Sequence, residues 1–152
     1  MGKDDPLCDV IHASCVAIDP SFGLLIVGAS GSGKSSLALM MMALGATLVS
    51  DDRTKLTMDS REGDLVACAP ETIQSMIEAR GIGILNVQSM PYCVIRAVVD
   101  LDKLEQERLP PARIRRLLNQ DIPEYHRSDG PYFAAALIQL LKGGRVASLT
   151  HD

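Results

Sequence analysis

The 152-residue chain predicts an α/β fold in which a mixed β-sheet carries a phosphate-binding loop. Three observations lead there. Residues 28–36 read GASGSGKSS, the spacing G-x-x-x-x-G-K-S, set between a short apolar run and a helix-forming run. A strand pattern and a tight turn precede that run so closely that the two strands can only be antiparallel neighbours. A second hairpin pattern follows the acidic pair Asp51-Asp52. A parallel sheet of repeated β-α units does not accommodate hairpins on both sides of the loop, so the sheet must be mixed.

The elements follow in order. Residues 9–18 alternate around Val10, His12, Ser14, Val16 and Ile18 and predict one strand. DPSFG forms a turn, and LLIVGA (24–29) is a buried strand. Residues 34–44, KSSLALMMMAL, are strongly helix-forming, with Met40, Met41 and Met42 as core packing and Gly45 where a left-handed cap belongs. ATLVS (46–50) is a strand ending at Asp51-Asp52, and 53–69 reads as a hairpin around residues 61–64. Pro70 and Gly81 bracket a predicted short helix over 70–81. Two strands follow, 82–87 and 92–101. Within 102–130 we expect a hairpin turning at Asn119-Gln120-Asp121, because Pro123 would interrupt a helix. A third helix starts from Ser128 or Asp129 as cap, with Pro131 near its first turn, and stops at Gly143. The chain is read as one domain, 1–152, with 1–8 and 145–152 as loose tails.

Composition narrows the function classes. A net charge of −4 argues against a general nucleic-acid binder. No apolar run is long enough to span a bilayer, and MGKDDPLCDV has no signal core, so a cytoplasmic location is expected. Cys8, Cys15, Cys68 and Cys93 form no C-x-x-C pair; three sit in strand-like apolar surroundings, so most of them read as small core residues in a reducing compartment.

The chemistry centres on the loop. Gly28, Gly31 and Gly33 let the backbone turn its N–H groups inward around an anion, with Ala29, Ser30, Ser32 and Ser36 completing the cradle. The helix N-terminus adds its positive end. Lys34 reaches β- and γ-phosphate oxygens, and the Ser35 hydroxyl ligates Mg²⁺; ATP and Mg²⁺ are the expected cofactors. Asp51 and Asp52, adjacent in an extended segment, point to opposite faces. One can accept a proton beside the γ-phosphate while the other bonds locally or helps hold the metal. His12 is either a polar group on a wet face or a residue projecting toward the nucleotide. Glu78 and Arg80 are either a capped helix end or a metal-side carboxylate and a phosphate-neutralising cation. Arg108, Arg113, Arg115 and Arg116 read as a solvated face.

Four segments in this order, HASCVAI, GASGSGKSSLAL, GATLVSDD and IEARGIGILNV, resemble the catalytic domain of HPr kinase/phosphorylase, in particular the short alphaproteobacterial form. The likeness runs from about His12 to Gly144. It implies a phosphoenolpyruvate carboxykinase-like mixed sheet, an HPr-type phosphocarrier protein as partner, and a homo-oligomer, a hexamer in the family. It also implies Asp51 as catalytic base, Lys34 and Ser35 as the nucleotide and Mg²⁺ grip, Glu78 as a metal-side carboxylate, Arg80 as the signature arginine and His12 near the reacting centre. Two departures stand out. Ser36 replaces an acidic residue frequent after Lys-Ser, and the segment NVQSMPYC is short and lacks the basic loop of long members, which favours kinase over phosphorylase activity. A small-metabolite kinase with an arginine-bearing lid in 102–127, and a nucleotide sensor without turnover, remain the alternatives.

Overall fold

The structure is a computed structural model that describes residues 8–146. Its strands are β1 (Cys8–Ile11), β2 (Ala13–Asp19), β3 (Phe22–Val27), β4 (Thr47–Ser50), β5 (Thr54–Met58), β6 (Leu65–Cys68), β7 (Met76–Ala79), β8 (Gly83–Asn86), β9 (Cys93–Leu104), β10 (Ile114–Leu117) and β11 (Gln120–Arg127). The helices are α1 (Lys34–Ala43) and α2 (Phe133–Gly143).

Val, Ile and Ala at successive positions of β2, β3 and β9 leave these strands buried on both faces, as central strands are. The main sheet runs β1-β5-β6-β9-β3-β2-β4, with β11 parallel to β9 and β10 antiparallel to β11. β2 and β3 pair antiparallel, as their short connection requires, whereas β3 and β9 are parallel. The sheet is therefore mixed. One face packs Val16, Leu24, Ile26 and Val99 against Leu37 and Met41 of α1 and Leu137 and Leu141 of α2. The other packs Cys15, Leu25 and Val98 against Leu56, Leu65 and Ile122.

The helix after the loop ends as expected. Gly45 has φ +112°, and the Ala46 N–H reaches back to Met41 O at 3.0 Å, closing a Schellman cap. Met41 is fully buried, but Met40 is half exposed. The 53–69 hairpin forms as β5–β6, and the 102–130 hairpin forms as β10–β11. Its two-residue turn falls at Leu118 and Asn119, both with positive φ, one residue before the predicted position.

Five expectations are corrected. Residues 9–18 are two strands broken at His12: β1 leaves to pair with β5 while β2 stays between β3 and β4. Residues 70–81 are no helix. A 3₁₀ turn at Glu71–Ile73 leads through Ser75, at φ +60°, into β7, which pairs with β8 and buries Ile77 in the core. Gly81, at φ +87°, is the hairpin's turn residue rather than a helix stop. The last helix begins after Tyr132, because Asp129 instead accepts from Arg127 Nε at 2.9 Å, while its end at Gly143 is as expected. Of the expected tails, Cys8 belongs to β1, and Arg145 donates to Pro110 O at 3.0 Å. Residues 1–7 and 147–152 lie outside the described residues. Arg113 and Arg115 are likewise no solvated face, being paired with carboxylates on β9 and β11 and in the segment between β9 and β10.

Candidate active site

β3 runs out at Val27 into the glycine loop, and α1 begins at Lys34 on its far side. A Cβ at Gly28 would stand 2.5 Å from Ser32 Oγ, so the loop closes on itself only with glycine there. Gly31 and Gly33 have positive φ and open space where a Cβ would stand, which leaves a hollow over the loop and the first turn of α1. Ser32 Oγ is buried without a hydrogen-bond partner among the described residues. The Lys34 ammonium lies folded back on Gly28 O (2.9 Å) and Ala29 O (3.1 Å). An unsatisfied hydroxyl, a cation parked on the loop's own carbonyls and an open glycine hollow fit a bound phosphate chain.

The two aspartates point different ways, not by strand alternation, since β4 ends at Ser50, but through a bend in which Asp52 is left-handed. Asp51 is buried, 8% exposed. Its Oδ1 accepts from Ser35 Oγ at 2.6 Å and Ser14 Oγ at 2.9 Å, and its Oδ2 from the Glu78 N–H at 3.0 Å. Asp52 has φ +70° and turns the other way, its side chain 62% exposed. Its Oδ1 lies 2.7 Å from His12 Nε2, and its N–H donates to Ser14 Oγ at 3.1 Å. Ser14 therefore ties both aspartates into one rigid unit.

A cleft of about 230 Å³ is lined by Ser30, Gly31, Gly33, Lys34, Ser35, Ser36, Asp52, Glu78 and Arg80. Next to it lies a cavity of about 440 Å³ lined by Val10, Ile11, His12, Ser30, Asp52 and Arg53. Ser30 and Asp52 border both. Glu78 and Arg80 reach the cleft from the β7–β8 hairpin, not from a helix end. Of the residues predicted for the site, Gly28, Ala29 and Ser32 sit in the loop without lining the cleft, His12 lines the adjoining cavity, and Asp51 touches the site through Ser35. Among the described residues no three His, Cys, Asp or Glu side chains converge to hold a metal. A hard cation would take Ser35 Oγ and neighbouring carboxylates together with phosphate oxygens, which suits Mg²⁺.

Two participants escaped the sequence reading. Ser14 is a fully buried hydroxyl in an otherwise apolar strand, and that polarity was its only signal. Asp102 accepts the Ala29 N–H at 3.0 and 3.1 Å and so braces the entry of the loop. It follows Asp100 at the carboxyl end of the strand parallel to β3, where ligand-contacting residues collect in α/β sheets. Behind it, the Asp102 N–H donates to Asp100 Oδ1, and Arg115 bridges Asp100 (2.7 Å) to Glu124 (2.6 Å). Glu124 also meets His126 at 2.8 Å. Burial pushes the Glu124 carboxyl up, but the hydrogen bonds from His126 and Arg115 outweigh it and hold the group below the ordinary carboxylate range. The side-chain bond from Arg113 likewise lowers Glu105. Cys15 and Cys93, both buried, are free thiols in the core, and burial pushes the Cys15 thiol well up.

Fold and site together define a mixed-sheet α/β domain with a glycine loop at a helix start, Asp52 lining the cleft beside it and Asp51 buried behind Ser35. Comparison with known proteins gives the family. The chain belongs to the HPr serine kinase C-terminal domain family, whose model matches residues 8–108, from β1 through the loop, the aspartates and β9. It is 35% identical over 114 residues to the HPr kinase/phosphorylase of Halalkalibacterium halodurans, covering 67% of this chain and 36% of that one. It is 43% identical over 88 residues to the HPr kinase/phosphorylase of Alkaliphilus metalliredigens, covering 57% and 28%. The chain thus spans about a third of the length of the curated relatives it matches. A solved structure, the Hpr(Ser) kinase/phosphatase from Coxiella burnetii, superimposes with a TM-score of 0.72 at 23% identity, covering 88% of each chain; the likeness is one of fold. No helix among the described residues is long and apolar enough to cross a membrane.

Proposed function

We propose that this chain is an ATP- and Mg²⁺-dependent protein-serine kinase acting on an HPr-type phosphocarrier or its nitrogen-branch homologue. The observation that carries the reading is the place of Asp52, at the border between the loop cleft and the cavity beside it. The loop amides and Lys34 bind the phosphate chain, Lys34 exchanging the Gly28 and Ala29 carbonyls for phosphate oxygens. Ser35 and Glu78 would hold Mg²⁺, which when bound would supply neutralisation of β- and γ-phosphate charge. Arg80 offsets the charge that develops on the transferring group.

The proton acceptor is assigned differently from the family-based expectation. Both Asp51 oxygens are already engaged, one of them by Ser35, so Asp51 orients the metal-binding hydroxyl. Asp52 has free access to both cavities and is oriented by His12, so it takes the proton from the acceptor serine.

Phosphorolysis is weak in this reading. The short segment after Val87 is pinned to β4, the Met90 N–H donating to Leu48 O at 2.8 Å, and it has no basic side chain to reach for a partner. A metabolite kinase with an arginine lid is disfavoured, since Arg113, Arg115 and Arg116 are each paired with a carboxylate. A single catalytic domain of the short alphaproteobacterial type, cytoplasmic and assembled as a homo-oligomer, is part of the same proposal.

Radiolabelled ATP with Mg²⁺ and purified HPr-type carriers tests it. Transfer of label to a carrier serine is expected, as an acid-stable phosphoester. Nucleotide binding without transfer to any carrier would identify a sensor instead.

A further inference from the structure

A groove of about 630 Å³ lies away from the phosphate loop, between the start of β3 and β9, the β10–β11 hairpin and the carboxyl end of α2. We propose that it is a binding site for a small amphipathic organic anion, an aryl or alkyl carboxylate or sulfonate. The inference is independent of the catalytic reading.

The volume falls within the range of about 300–1,000 Å³ typical of small-molecule sites. Its floor and walls are apolar, with Phe22, Tyr125 and Leu140 among them. Four cations line it, and three of them, Arg96, Lys142 and Arg145, have no carboxylate partner among the described residues. Two are set by aromatic rings: the Arg96 guanidinium lies 5.7 Å from the Phe22 ring centre, and Arg145 lies 5.8 Å from that of Tyr125. Arg96 Nε donates to Ser21 O at 2.7 Å and Arg145 to Pro110 O at 3.0 Å, so both forks are held in place with donors to spare. Pre-positioned cations beside aromatic walls suit a ligand with one charged and one apolar end.

The opposing charges are weaker. Glu124 is the one carboxylate in the lining, and Arg115 and Lys103 already neutralise it while His126 hydrogen-bonds it. Arg113 is matched by Glu105. The carbonyl end of α2 also faces the groove, but a helix end carries only about half an elementary charge, and the Gly144 N–H already caps Leu140 O. Three whole positive charges therefore prevail, on a chain whose net charge is −4. A neutral apolar ligand would leave those cations without a counter-charge.

The test is an NMR titration of the full chain with 2-naphthalenesulfonate and, separately, with its uncharged analogue 2-naphthalenemethanol. Saturable shifts are expected at the Phe22 and Tyr125 rings and the Arg96 side-chain N–H, with the sulfonate binding at least tenfold tighter than the alcohol. In Arg96→Gln/Lys142→Gln the sulfonate should weaken about tenfold while the alcohol is unchanged; Lys142→Gln alone, on an exposed position, should give a smaller loss in the same direction. Equal binding of the two probes, unaltered sulfonate affinity in the variants, shifts centred on Gly31 and Gly33, or no saturable shift because a second copy covers the groove (visible by sedimentation) would each overturn it.

Discussion

Arg115→Met removes the guanidinium that joins Asp100 to Glu124 and leaves a side chain of similar length. Both carboxylates are buried, at 5% and 7% exposure, and each loses a charge-assisted hydrogen bond of 2.7 or 2.6 Å. Such bonds contribute about 1.5–3 kcal/mol each, so roughly 3–6 kcal/mol is at stake. Two features lower that sum. Arg115 is itself a quarter exposed, and Lys103 stays within 3.5 Å of Glu124 and 3.9 Å of Asp100. The expected loss is therefore about 3 kcal/mol, near the lower end of the cost of breaking a buried pair. For a domain of this size that lowers Tm by roughly 6–12 °C. Urea unfolding should show a shifted midpoint with an unchanged slope. The pH dependence has a definite sign. Because the Glu124 carboxyl is held below its usual range in the folded state, the stability it contributes is present above the ordinary carboxylate pKa and fades as pH falls through the lowered one. The gap between wild type and Arg115→Met should accordingly close in acid. A loss under about 1 kcal/mol at neutral pH, or a gap that widens in acid, would refute the reasoning.

Other perturbations follow from the same geometry. Gly28→Ala places a methyl group against Ser32 and should abolish nucleotide binding, measured by calorimetry, while the fold persists by circular dichroism. Gly23→Ala drives a Cβ into Cys93 Sγ and the Val94 carbonyl and should cost about 1–3 kcal/mol of stability without touching nucleotide affinity in the protein that remains folded. Lys34→Met should weaken ATP binding at least 100-fold, about 2.7 kcal/mol. His12→Ala should lower transfer about 10- to 100-fold, with ATP affinity unchanged.

The loop was legible because its backbone constrains sequence directly, with positive φ at Gly28, Gly31 and Gly33. Glycine at 28, 31 and 33 and Lys-Ser at 34–35 have few other uses in that spacing. The mixed sheet was legible from short connections, which permit only antiparallel neighbours. Residues 70–81 misled because Pro70 and Gly81, read as helix punctuation, serve here to open a 3₁₀ turn and to close a hairpin; neither residue states which element lies between. The break at His12 was hidden by an apparent alternation. In fact Ala13 to Ala17 are all buried, since β2 is covered on both faces, and period carries no information there. The Asp51–Asp52 division could be foreseen as two directions. Which direction faced the cleft depended on Ser14, Ser35 and the Glu78 N–H meeting in space, 16 to 37 positions from Asp51 along the chain. Asp102 was invisible for the same reason: its partner, Ala29, is 73 positions away.

The sharpest test compares Asp52→Asn with Asp51→Asn in one assay of Mg²⁺-ATP binding and phosphoryl transfer to an HPr-type carrier. Asp52→Asn should bind Mg²⁺-ATP within about threefold of wild type and transfer at least 1,000-fold more slowly, roughly 4 kcal/mol of barrier. Asp51→Asn should lose the Mg²⁺ dependence of nucleotide binding along with activity. Full transfer by Asp52→Asn, with Asp51→Asn inactive yet binding Mg²⁺-ATP normally, would return the proton to Asp51 and contradict the account.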